Sequence, residues 1–257
     1  MFKTTKKTLI KFDKINFGYE KNKPILSDVS FSILENEYVC IIGANGCGKS
    51  TVAKIIAGLL KPWNGSLIFN DEIVTKKNVK NLKQKTGIIF ENPSNQFIGL
   101  SVEDDIAFGL ENQCVDRLKM QDIIDTTSKY VGTHELLKAS VHSLSGGQQQ
   151  LVAITSILAM NPDLIVFDEA TSMLDGKSKS KINELILSLK NDKHKTIVSI
   201  THDMDEAAKA DKIIVMSKGK VAMIGSPNQI FNDPKLESLS LDKPFAYKLD
   251  QRINYEK

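Results

Sequence analysis

Between residues 8 and 39 the apolar side chains recur in short alternations, Ile10 and Phe12, Ile15 and Phe17, then Val29, Phe31 and Ile33. A period of two is what a strand with one buried face requires, so this stretch predicts antiparallel strands. At Tyr38 the pattern changes. The run YVCII is apolar without interruption and ends in glycine, after which Val52, Ile55, Ile56, Leu59 and Leu60 recur at helical spacing. Unbroken apolar runs mark strands buried on both faces, as in a parallel sheet. Further runs of this kind, TGIIF (86–90), LIVFD (164–168), TIVSIT (196–201) and KIIVM (212–216), are separated by helical patterns. Strands alternating with helices predict an α/β fold with a parallel core.

Residues 101–138 read as helical throughout, with Ser101 and Asp104 spaced for a capping box, which makes this stretch a helical insert on the core. After Met223, SPNQIFNDP predicts a short helix closed by Asp233 and Pro234. The remaining residues are polar with scattered aromatics and are expected to form a tail or docking arm.

Composition narrows the class. A chain of 257 residues, 41% hydrophobic and 25% charged, is long enough for a full core and matches one large domain with a small appendage. The 34 Lys+Arg against 31 Asp+Glu give a net charge of +3, too near balance to argue for binding nucleic acid non-specifically. No stretch approaches the ~18 consecutive apolar residues that a membrane span needs. The start MFKTTKKTL lacks the apolar core of a signal peptide, so the chain is expected neither to cross a membrane nor to be exported. Cys40, Cys47 and Cys114 are an odd set with no CxxC, which indicates neither a disulfide framework nor a zinc site and makes the cytoplasm the expected compartment.

The strongest chemical signal is GANGCGKST, residues 43–51, which satisfies GxxxxGK(S/T) between a predicted strand and a predicted helix. Gly43, Gly46 and Gly48 let such a loop wrap with its N–H groups inward, Lys49 reaches the β- and γ-phosphates of a nucleotide, and the Ser50 hydroxyl ligates Mg²⁺. Asn45 and Thr51 complete the candidate nucleotide contacts within the motif. LIVFDE, residues 164–169, is an apolar strand ending in two carboxylates. Such a pair alone is more often a solvated strand end, but a phosphate loop upstream reverses that reading. Asp168 would then hold Mg²⁺, directly or through water, and Glu169 would polarise the water that attacks the γ-phosphate. LSGGQ, residues 144–148, opens a helix; Ser145, Gly147 and Gln148 offer it a hydroxyl, a close backbone approach and an amide against phosphate.

Phosphate loop, LSGGQ and acidic pair, in this order, resemble the ATP-binding cassette (ABC) ATPases, and the resemblance runs from about residue 10 to residue 225. It implies a P-loop NTPase of the ABC type with an antiparallel β subdomain, a helical subdomain and a short C-terminal extension. The expected divisions are an ATPase domain over 1–225, its helical part at about 100–160, and an extension over 226–257. ATP and Mg²⁺ are the implied ligands. Tyr19, in FGY, falls where the family stacks an aromatic ring on adenine; His202, in SITHD, matches the switch histidine that contacts the γ-phosphate and holds Glu169; Asp175, in ATSMLD, matches a residue at the interface between two subunits. The implied catalytic set is Lys49, Glu91, Glu169 and His202, and the implied metal set is Ser50, Glu91 and Asp168. In this family LSGGQ completes the hydrolytic site of a second subunit, so a dimer is implied.

FENPSNQFIGLSVEDDIAFGLEN and DEATSMLD are similar to the ATPases of energy-coupling factor (ECF) transporters of bacterial micronutrient uptake, and to the first of their two ATPase subunits more than the second. That resemblance implies a heterodimer with a second ABC-type ATPase, a transmembrane coupling protein, a substrate-binding membrane protein, no nucleic acid, and a peripheral location on the cytoplasmic face of the cell membrane. Glu103, Asp104 and Asp105 are then candidate partners for arginines on a coupling helix, or simply a favourable acidic first turn. Rival readings are a soluble ABC-type ATPase, which usually carries two cassettes or a coiled-coil insert, and a nucleotide-gated regulatory ATPase, which would lack the base or the switch group. A small-molecule kinase would not need LSGGQ.

Two residues depart from expectation. Cys47, between Gly46 and Gly48, is expected either to be acidified by Lys49 and the helix N-terminus and open to alkylation, or to be an inert small residue. Glu91 stands where the family usually carries Gln, and Ser94 where it usually carries Asp; Gln96 is the other amide able to make polar contacts in this loop. A carboxylate can ligate Mg²⁺ but adds negative charge beside the γ-phosphate and offers no donor to water. Turnover is therefore expected to be slower or more Mg²⁺-dependent than with glutamine. Replacing Glu91→Gln should raise kcat or lower the Mg²⁺ concentration for half-maximal rate; steady-state assays in which neither moves would refute this.

Overall fold

A computed structural model of the chain describes residues 7–248. Its strands form two sheets. The first is antiparallel, in the order β2 (Leu26–Leu34), β1 (Thr8–Phe17), β4 (Asn64–Phe69), β5 (Glu72–Ile73). Its register sets Phe12 opposite Phe31 and Leu67, which puts one side of each strand on the core as the two-residue period requires. The rings of Phe12 and Phe31 stack at 4.4 Å.

The second sheet runs β10 (Lys220–Gly225), β9 (Lys212–Ser217), β3 (Tyr38–Gly43), β8 (Thr196–Ile200), β7 (Leu164–Asp168), β6 (Thr86–Phe90). All neighbours from β9 to β6 are parallel, and β10 returns antiparallel at the edge. Every residue of β3, β7 and β8 is buried, which accounts for their unbroken apolar sequences. Alternate side chains of β3 serve two cores. Val39 and Ile41 face a cluster shared with β1, β2 and α1 (Lys49–Ile56), while Cys40 and Ile42 face one shared with α5 (Gly146–Ala159) and α6 (Gly176–Asn191).

Between β5 and β6 lies α2 (Val79–Lys85). The stretch expected to be helical from 101 to 138 resolves into α3 (Val102–Asn112), α4 (Arg117–Val131) and a 3₁₀ turn, His134–Leu136. Its predicted capping box is present: Ser101 accepts from Asp104 N, and the Asp104 carboxylate accepts in return from Ser101 N. The interruption falls at Cys114, whose φ of 57° is left-handed and ends a helix, and Asp116 caps the next one. Val102, Ile106 and Leu110 of α3 join Ile124 of α4 and Val152 of α5 in a third apolar cluster. The excursion closes where it opens. Val102 N and Glu103 N donate to the carbonyls of Ala139 and Leu137, Val141 N donates to that of Leu100, and Lys138 pairs with Glu103.

After β8 comes the single turn α7 (Met204–Ala207), and after β10 the expected short helix α8 (Pro227–Asn232) starts on a Ser226 capping box with Pro227 at its first position. A further turn, α9 (Lys235–Ser238), follows. Ile230, Phe231 and Leu236 are buried in the second cluster, and the Tyr247 ring packs on Phe231 at 5.1 Å. Up to residue 248 the expected docking arm thus lies against its own core; the rest of it, 249–257, falls outside the described residues. Among the described residues no helix is long and apolar enough to cross a membrane.

Phe231 is fully buried at this join. Phe231→Ala should cost about 3–5 kcal/mol in urea unfolding. A loss below about 1 kcal/mol would mean that the extension does not contribute to the fold.

Candidate active site

Parallel register brings the carboxyl ends of β6, β7 and β8 level, with Phe90 opposite Asp168 and Asp168 opposite Ile200. The residues that follow these strands, Glu91, Glu169 and His202, therefore emerge on one rim, the usual place for chemistry in an open α/β sheet. The loop after β3 meets them there.

That loop turns into α1 at Gly48, whose φ of 103° favours glycine; a Cβ there would also press on Leu26 Cδ2 at 2.6 Å. No side chain caps α1, which leaves its first-turn amides to an outside acceptor. Lys49 is buried; its Nζ donates to the carbonyls of Gly43 at 2.9 Å and Ala44 at 3.2 Å and lies 4.0 Å from Glu169 Oε1. An ammonium has three N–H groups, so one remains for a phosphate oxygen. Ser50 Oγ donates to Asp168 Oδ1 at 2.9 Å.

Burial, foremost, pushes the Asp168 carboxyl above its ordinary value, and the nearby charges of Glu169 and Glu91 add to this against the Ser50 hydrogen bond and Lys54. A region crowded with carboxylates and hydroxyl oxygen suits a hard divalent cation. Among the described residues no three His, Cys, Asp or Glu side chains converge as a cage. Ser50 Oγ and Asp168 Oδ1, side by side on this rim, could serve Mg²⁺, which one or two protein oxygens hold together with phosphate and water.

Glu169 has a φ of 54°, unusual for a residue with a side chain, and its N–H donates to the carbonyl of Ile200 at 3.0 Å. Its Oε1 lies 2.9 Å from His202 Nε2; with the carboxylate ionised, the ring nitrogen is the donor. Glu91 Oε1 accepts from Ser172 Oγ at 3.0 Å. Ser50, Glu91, Asp168 and Glu169 line one open cleft of about 500 Å³.

Residues 43–51, 91, 168, 169 and 202 are thus gathered, whereas LSGGQ is not. Ser145 and Gln148 form a capping box at the start of α5, both exposed, and none of 144–148 lines the cleft. Tyr19 follows β1, edge-on to Phe17 at 5.2 Å and 57% exposed, so a ring face is open to stacking. Asp175 caps α6 through Lys177 N and Ser178 N.

Several expectations change. Cys47 is buried, and burial pushes its thiol up, outweighing Lys49, so the inert reading replaces the acidified one. Gln96 accepts from Phe90 N and donates to the Ile88 carbonyl, bracing the end of β6 instead of serving the cleft. All three acids of the first α3 turn have partners within the chain. Glu103 pairs with Lys138, Asp104 closes the capping box, and Asp105 accepts from Ile98 N, Gly99 N and Ser156 Oγ. Sequence reasoning missed Ser172 on Glu91. It also missed the pair that ties the 90–96 loop to α5: Ser94 Oγ donates to Gln149 Oε1 at 2.8 Å, and buried Gln150 donates to the Phe90 carbonyl at 3.2 Å. The run of three glutamines, 148–150, leading into a mostly apolar helix was the available signal.

The arrangement is that of a phosphate-loop ATPase. The ABC transporter family matches residues 26–172. The energy-coupling factor transporter ATP-binding protein EcfA1 of Ureaplasma parvum is 52% identical over 95% of this chain and 83% of its own length. The corresponding protein EcfA of Malacoplasma penetrans is 51% identical over 93% and 84%. Among solved structures, cbiO1 from Clostridium perfringens, part of the ABC transporter complex cbiONQ, superposes with a TM-score of 0.82 at 30% identity, covering 95% of this chain and 99% of that one. A bacterial Atm1-family ABC exporter with ATP bound gives 0.77 at 26% identity, covering 91% of this chain and 42% of that one. The chain belongs to the ABC transporter family, as an ATPase similar to the energy-coupling factor ATP-binding proteins.

Iodoacetamide at mildly alkaline pH should modify exposed Cys114 in the native protein and spare Cys40 and Cys47. Peptide mass mapping that finds Cys47 labelled as fast as Cys114 would restore the acidified reading.

Proposed function

We propose that this chain is an ATP-hydrolysing subunit of an ECF-type importer, working on the cytoplasmic face of the membrane to power uptake of a vitamin or metal ion. Its companions are a second, related ABC-type ATPase, a transmembrane coupling protein and a substrate-binding membrane protein. One observation carries the reading: Lys49, Ser50, Asp168, Glu169 and His202 share one rim while LSGGQ caps its own helix outside the cleft. A site so divided is completed by a second chain, whose LSGGQ closes over the nucleotide.

Residues 43–51 wrap the phosphates, with the Lys49 ammonium reaching between the β- and γ-phosphates, and Tyr19 stacks on the adenine. Mg²⁺, when bound, neutralises charge on the β- and γ-phosphates. Ser50, Asp168 and Glu91 would hold it from this chain. Glu169 orients and deprotonates the attacking water, and His202 fixes the Glu169 carboxylate and faces the γ-phosphate. Residues 1–225 form the ATPase domain, its helical part spans about 100–160, and 226–257 is an extension. The surface near residues 91–103 receives the membrane partner, and the bonds of Ser94 to Gln149 and of Phe90 to Gln150 link this surface to α5 and hence to LSGGQ.

The test is ATPase rate with a co-expressed companion. Wild type should turn over several-fold faster with the companion than alone, and Glu169→Gln should lower kcat by about 10²–10⁴ while still trapping ATP. Equal rates for wild type and Glu169→Gln would overturn the assignment.

A further inference from the structure

We infer that Glu206 is a positioning residue for ATP hydrolysis, a buried carboxylate that locks together the two chain segments carrying Glu169 and His202. The inference rests on the function proposed above.

Glu206 lies in α7, is 2% exposed, and takes part in no salt bridge among the described residues. It is instead surrounded by hydroxyls. Its Oε2 accepts from Thr201 Oγ1 at 3.0 Å and from Thr171 Oγ1 at 3.3 Å, and its Oε1 accepts from Ser199 Oγ. Thr171, Ser199 and Thr201 are themselves buried. Their places in the chain make the cluster informative. Thr171 is two residues beyond Glu169, Thr201 immediately precedes His202, and Ser199 anchors β8 from which His202 emerges. One carboxylate oxygen thus bridges the Glu169 segment and the His202 segment.

The lock extends to both flanks of His202. Thr201 Oγ1, while donating to Glu206, accepts from Asp203 N at 3.0 Å. Asp203 in turn caps α7 through Asp205 N and Glu206 N and pairs with Lys179 of α6 at 2.8 Å. On the other segment, Glu169 holds its left-handed backbone, a conformation that persists only where its surroundings enforce it. The His202–Glu169 contact of 2.9 Å thus spans two strand ends that Glu206 ties together beyond the backbone bond from Glu169 N to the Ile200 carbonyl.

Burial raises the Glu206 carboxyl and its hydroxyl donors oppose that rise. An uncompensated carboxylate in a core is unfavourable, and an apolar residue would fill the space without that cost. What the carboxylate adds is acceptor capacity: two oxygens take three O–H donors, whereas a glutamine of the same shape has one acceptor oxygen and an NH₂, so at least one hydroxyl must turn from donor to acceptor and give up its present bond. The phosphate loop makes no hydrogen bond to Glu206, although Tyr38 and Cys40 of β3 lie near enough to feel its charge. Loss of the lock should hence disturb the chemical step and leave ATP binding intact.

The experiment is a double-mutant cycle on the full chain with its co-expressed companion ATPase. Glu206→Gln should lower kcat by about 10-fold or more, as sub-ångström misplacement of reacting groups does, with KM for ATP changed less than about 2-fold. In a His202→Ala background the same substitution should cost less than about 2-fold, because the alignment it serves is already gone. Thr171→Val, which removes one bond on the Glu169 side, should give a smaller kcat loss of the same kind. Equal fold losses in both backgrounds, or a loss carried by KM, would overturn the inference. Should Glu206→Gln fail to fold, full kcat in Thr171→Val would overturn it instead. Failure of the wild-type pair to hydrolyse ATP sinks the proposed function, whereas robust wild-type hydrolysis with additive mutants sinks only the role of Glu206.

Discussion

The site depends on an imbalance of charge. Glu91, Asp168 and Glu169 crowd one rim, with Lys49 the cation in contact and Lys54 beside it. Burial of Asp168 makes this crowding felt, because fields between charges are screened far less there than in water. A bound divalent cation and the loop's amides supply the missing positive potential, so the protein is preorganised to gain from ligands that arrive as an Mg²⁺ and phosphate pair. Everything else in the parallel sheet, from the all-buried strands to their level ends, fixes where those carboxylates stand.

Most of the fold could be read from local pattern, since the forces that set it are local or periodic. The unbroken runs at 38–42, 86–90, 164–168, 196–200 and 212–216 all became adjacent strands of one sheet. The Ser101–Asp104 spacing became a capping box because its partners lie one turn apart. The break at Cys114 escaped notice because a left-handed residue other than glycine leaves little trace in composition. In the site, motif residues were legible where the chemistry dictates both identity and spacing. What was not legible was competition for a side chain by distant partners. Gln96 is taken by backbone on β6, Asp105 by two amides and by Ser156, and Cys47 by the core around it. Each looked free in one dimension and is committed in three.

The same commitments give the rim its mechanical character. Glu91 is bonded to Ser172 behind the acidic pair, Ser94 and Phe90 are bonded to α5, and Asp203 is bonded to α6. Loop and helix ends around the cleft are therefore joined side chain to side chain instead of floating separately. Packed, hydrogen-bonded contacts of this kind shift between discrete arrangements more readily than they stretch.

The closed neck of the helical insert bears on how such a chain can diversify. The chain that turns into α3 at Ser101 comes back beside it at Ser140, through paired backbone and the Glu103–Lys138 contact. The intervening stretch is a detour whose two ends occupy one spot, so its length and surface can change without re-threading a single strand. A scaffold with that property can vary in one part while the nucleotide machinery is inherited whole.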